Sequence, residues 1–66
     1  MKRYALVVAY RVSGDFISFD RGFTMAKNHG DAYFSPEMKQ LEDNLLSKGY
    51  SLENNFAFEI PEEVTP

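Results

Sequence analysis

Residues 3–12 read RYALVVAYRV, from Arg3 to Val12, and this stretch decides the fold. It is rich in β-branched and aromatic residues and too short for an apolar helix of ordinary length, so it reads as a strand. Successive side chains of a strand point to opposite faces. Tyr4, Leu6, Val8, Tyr10 and Val12 therefore share one face, and Ala5, Val7 and Ala9 share the other. Both faces are mostly apolar, which places this strand in the middle of a sheet.

The flanking sequence supplies its neighbours. Ser13-Gly14-Asp15 carries the composition of a tight turn. A second strand follows over about 15–25, with Ile17, Phe19, Phe23 and Met25 on one face and Arg21 interrupting that face. Asp20-Arg21-Gly22 reads either as a bulge, with glycine in a left-handed conformation, or as a second turn. Residues 26–34 lack periodicity and contain Asn28-His29-Gly30-Asp31, which reads as a loop. Ser35 is a good N-cap, Pro36 suits the first helical position, and Glu37 complements the helix dipole. Met38, Leu41 and Leu45 recur at helical spacing and Gly49 stands where a left-handed cap belongs, so a helix is expected over about 36–48. Alternation returns at the end of the chain, with Leu52, Phe56, Phe58 and Ile60 on one parity, giving a third, half-buried strand at about 55–60. Pro61 ends it, and the acidic tail 61–66 is expected to fray.

These elements assemble in one way. A hairpin makes the first two strands antiparallel, and a right-handed crossover through the helix returns the third strand parallel in direction to the second. The doubly apolar first strand fits between them. The expected fold is a single α+β domain over 1–66, a three-stranded antiparallel sheet in β-β-α-β order with strand order 2-1-3 and one helix packed on one face. One helix covers only one face of three strands, so the other face and both edges need another solution.

Composition limits the function. A chain of 66 residues buries about 60% of the surface its unfolded form exposes. Such small domains use disulfides, metals or oligomerisation for support. There is no Cys and only one His, His29, so disulfides, thiolate chemistry and a His-rich metal site are all excluded. No cofactor and no metal are expected. Lys2 and Arg3 before an apolar run resemble a signal-peptide start. The run stops at Arg11 without a cleavage pattern and is too short to span a bilayer. A soluble, cytoplasmic protein is expected. The net charge of −3 is uneven: residues 1–31 carry five cations against three carboxylates, and residues 32–66 two against seven. An acidic total argues against general affinity for DNA.

Few side chains suggest chemistry. His29 near Asp31 has the residue types of a His–carboxylate pair for acid–base work, but in a glycine loop the two need not face each other. Glu42 and Asp43 are adjacent on a helix and point apart. No phosphate loop, nucleophile elbow or metal motif is present. The chain reads as non-catalytic. Aromatic and basic residues interleave on the hairpin, and Tyr4, Val7, Tyr10, Arg11, Phe19, Arg21 and Phe23 are the candidate partner-binding residues. The bland reading is that the rings fill the core and Arg21 is an inward charge that discourages edge pairing. The functional expectation is a small protein-binding regulator, of the inhibitor, antitoxin or phage-type host-modulator kind, acting through a sheet face or edge and forming a homodimer. The alternative is single-stranded nucleic-acid binding through the hairpin, which requires a positive patch containing Arg3, Arg11 and Arg21 with exposed rings.

Overall fold

In a computed structural model that describes residues 1–61, strand β1 (Lys2–Ser13) and strand β2 (Phe16–Ala26) form a long hairpin. Two helices follow, α1 (His29–Tyr33) and α2 (Pro36–Ser47), and strand β3 (Ser51–Ile60) closes the fold. The sheet order is β2-β1-β3 with both pairings antiparallel. The α+β architecture expected from the sequence is the one observed. The tail beyond Pro61, expected to fray, lies outside the described residues.

Each end of α2 is built by local chemistry. The Ser35 hydroxyl accepts the backbone N–H of Met38, and Pro36 occupies the first turn. At the other end Gly49 adopts φ +87°. Its N–H donates to the Leu46 carbonyl and that of Tyr50 to the Leu45 carbonyl, the double bond of a Schellman cap. Met38 and Leu45 face inward. The core lies between this helix and the even-numbered side of β1, where Tyr4, Leu6 and Val8 are almost fully buried beside Ala26, Ala32 and Ala57.

Small residues on the edge strands let the helix come close. A Cβ on Gly22 would stand 3.1 Å from Leu41 Cδ1. Thr24 is buried on the same side of β2, and its hydroxyl donates to Glu37 across to α2 at 3.0 Å. On β3, Asn55 donates to Glu42 at 2.9 Å. These two bonds hold the helix to both edges of the sheet.

Four sequence expectations are corrected. Asp20-Arg21-Gly22 is neither bulge nor turn: Val8, Val7 and Leu6 pair with Asp20, Arg21 and Gly22 in unbroken register. The loop expected over 26–34 contains α1, whose start is capped by Asn28 accepting the Asp31 N–H. β3 begins at Ser51, four residues earlier than expected, because pairing with β1 continues through a bulge. That bulge falls at Glu53, where Ala9 pairs with Asn54 and Tyr10 with Leu52. It puts Leu52 on the helix side while Phe56 and Phe58 face away, so residues of one parity in sequence occupy two faces. Last, the hairpin phenylalanines do not fill the core, and Arg21 does not point into it.

Candidate functional site: the open face of the sheet

The face opposite the helices is read directly from the register. β1 contributes Arg3, Ala5, Val7, Ala9 and Arg11; opposite them on β2 stand Met25, Phe23, Arg21, Phe19 and Ile17. On the other side β3 contributes Ile60, Phe58, Phe56 and Asn54. Small side chains thus form a central floor between two walls of large ones. The walls are open to solvent: Phe19 and Phe23 are each 60% exposed, Phe58 55%, Met25 53% and Ile17 42%. Isolated exposed apolar residues are ordinary, but a contiguous set on one face is uncommon on a monomer.

The rings are arranged, not scattered. Phe56 and Phe58 stack nearly parallel, at 11° with centroids 6.1 Å apart. The Arg3 guanidinium lies over the Phe23 ring, 5.8 Å from its centroid. Phe19, Arg21 and Phe23 alternate along one side of β2, so the guanidinium stands between two rings, with residue pairs about 7 Å apart along the strand.

Charge is sorted through the thickness of the sheet. All three arginines lie on the open face, and no lysine does. Among the described carboxylates, Asp20 and Glu59 lie on the helix side of the sheet, and Asp31, Glu37, Glu42 and Asp43 belong to the helical layer. Asp15 sits in the hairpin turn. Glu53, at the bulge, reaches the face and pairs with Arg11, which also donates to the Gly14 carbonyl at 2.6 Å. Arg3 and Arg21 have no ion-pair partner among the described residues.

Of the candidate residues, Val7, Arg11, Phe19, Arg21 and Phe23 come together on this face. Tyr4 and Tyr10 do not. Tyr4 is a core residue only 3% exposed, and Tyr10 lies on the helix side against Tyr50, with centroids 4.9 Å apart. Phe56, Phe58 and Met25 complete the site and were not among the candidates. The signal for them was present in Phe56-Ala57-Phe58, where the small residue between two rings is the one that fits under a helix.

His29 has a structural partner. Its Nε2 lies 3.0 Å from the Ala57 carbonyl oxygen, and its ring packs between Tyr4 and Tyr33. Asp31 is tied instead to Asn28. The described residues contain no cluster of three metal-ligating side chains, and no helix among them is long and apolar enough to cross a membrane. Comparison with protein-family models, with curated proteins and with solved structures finds no match to this chain, so the open face is read from its own residues.

Proposed function

We propose that the chain is a small non-catalytic regulator, working in the cytoplasm, that docks a partner protein on the open face of its sheet. The observation that carries this reading is the composition of that face. Among the described residues it holds four phenylalanines, three arginines and a methionine, with no lysine and one carboxylate. Protein interfaces are enriched in aromatic residues, Met and Arg and depleted of Lys, Glu and Asp, and their energetic centres favour aromatic and Arg anchors. A stable α2-covered core beneath the face supplies the rigid support such anchors need. Affinity capture with the wild-type chain and with Phe19→Ser/Phe58→Ser tests it. A partner retained by the first and lost by the second supports the reading; partners retained equally by both remove it.

A second reading is favoured by one observation, the Phe19-Arg21-Phe23 alternation beside Arg3 and Arg11. Rings next to guanidinium groups form a stacking platform for single-stranded nucleic acid. Three phosphate contacts on a single strand give a salt slope of about −2 in log K against log salt. Anisotropy titration with a single-stranded oligonucleotide checks this, and a flat curve at low salt ends it.

For self-association, expected from the sequence, we propose a strand edge. Neither β2 nor β3 contains a proline. α1 engages the Ala57 carbonyl of β3 through His29, so the β2 edge is the one proposed. A homodimer formed there is expected to persist in Phe19→Ser/Phe58→Ser.

A further inference from the structure

Resting on the reading of the open face as a protein-docking surface, we infer that its occupant is an acidic, apolar segment of a different protein and not a second copy of this chain. Two observations on the face carry this. The apolar walls call for apolar side chains opposite them. The arginines call for carboxylates: Arg3 and Arg21 have none among the described residues, and Arg11 has only Glu53.

A second copy cannot supply what is missing. In a two-fold face-to-face contact the same surface meets itself. Among the described residues its one carboxylate, Glu53, is already engaged by Arg11 of the same chain. Two such faces would bring six guanidinium groups together with two carboxylates of the described residues. Burying unpaired charges is strongly unfavourable, and like charges across an interface select against a wrong partner. The same sorting of charge gives a foreign acidic segment a favourable approach. It meets the arginine face of the domain, while the carboxylates of α2 lie behind the sheet.

The arrangement also fixes where the carboxylates should lie. Arg21 stands level with Val7 at the middle of the sheet, with Arg3 and Arg11 four residues away on either side. At a rise of about 3.3 Å per residue their backbone positions are spaced about 13 Å apart along the strand direction. An acidic segment with carboxylates about four residues apart in an extended conformation matches that spacing, with apolar residues between them over Phe19, Phe23 and Phe58.

The test uses labelled peptides and the full chain. An extended 12-residue peptide repeating Glu-Ser-Phe-Ser, which puts carboxylates four residues apart with rings between them on one face, is compared with its Gln-Ser-Phe-Ser and Lys-Ser-Phe-Ser counterparts by fluorescence anisotropy. A dT12 oligonucleotide and sedimentation of the protein alone complete the set. The acidic peptide is expected to bind at least tenfold more tightly than the neutral one, and the lysine peptide not at all. Arg21→Glu with Arg3→Glu should reverse that preference, with the circular dichroism unchanged. Equal binding of acidic and neutral peptides, still lost in Phe19→Ser/Phe58→Ser, would overturn the acidic partner but keep the docking face. Binding indifferent to the phenylalanine variants would overturn the docking face as well. Tighter binding of dT12 than of any peptide would make the ligand nucleic acid, and a dimer abolished by Phe19→Ser/Phe58→Ser would make the occupant a second copy. Absence of binding by all three peptides would also overturn the inference.

Discussion

The division of the sheet into a buried and an open face makes a quantitative claim about two substitutions on paired strands. Leu6 has no exposed surface, whereas Phe23, one residue away from its cross-strand partner Gly22, keeps 60% of its surface in water. Leu6→Ala removes a fully buried side chain from the centre of the core, where such changes cost about 2–5 kcal/mol. Phe23→Ser removes a larger side chain that is buried only in its remaining two-fifths. Taking about 1.5–3 kcal/mol for full burial of such a group, the loss is about 1 kcal/mol, and the exposed contact with Arg3 adds about 0.5 kcal/mol. For a domain of this size each kcal/mol moves the melting temperature by about 4–8 °C. Leu6→Ala should therefore lower the melting temperature by about 8–40 °C, enough at the upper end to leave the chain unfolded. Phe23→Ser should lower it by about 6–12 °C, and urea denaturation followed by circular dichroism should rank Leu6→Ala as the more damaging. If Phe23→Ser costs as much as Leu6→Ala, the face is covered in the isolated protein and the reasoning about an open surface fails.

Other substitutions probe the elements that position the face. Gly49→Ala forces a Cβ onto a residue at φ +87° and should cost about 1–2 kcal/mol, read from the urea midpoint; no change would mean that the helix does not end in a left-handed cap. Ser35→Ala removes the bond to the Met38 N–H and should cost about 1 kcal/mol, with Ser35→Asn restoring much of it. Gly22→Val places branched carbons against Leu41 and should destabilise more than Gly22→Ala; a neutral Gly22→Val would show that α2 lies farther from β2 than the 3.1 Å approach implies. Glu53→Gln frees Arg11 and should tighten binding of the acidic peptide severalfold without altering the melting temperature by more than a few degrees; weaker binding would mean that Glu53 holds Arg11 in its productive pose.

Much of the fold was legible because local signals and connection rules agreed. The turn at Gly14, the capping residues Ser35 and Gly49, and the apolar run of β1 each point to one conformation, and together they leave one strand order. What misled was the assumption that large apolar side chains go inside. In β2 the inward residues are Gly22, Thr24 and Ala26, chosen by the space under α2, and the phenylalanines alternate with them on the outside. Size alone does not say which parity faces a helix; the small residues do. The bulge at Glu53 was equally invisible, since nothing in Leu52-Glu53-Asn54 departs from ordinary strand composition. For that reason sequence parity puts Phe56 and Phe58 on the face of Leu52. Tyr4 and Tyr10 read as binding residues because β1 is apolar on both sides, so its own sequence does not reveal which side the helix takes.

That single extra residue in β3 acts as a phase shifter. Before it, the strand delivers Leu52 to the hydrophobic interior; after it, the same alternation delivers its rings to solvent. Deleting Glu53 would close the bulge, because Leu52 opposite Tyr10 and Asn54 opposite Ala9 would then be consecutive rungs of a regular ladder. Leu52 would stay beneath α2 and Phe56 and Phe58 would stay in solvent. The deletion is therefore expected to cost little beyond the ion pair with Arg11. The ladder does not need the extra residue; what that residue adds is a carboxylate turned toward Arg11.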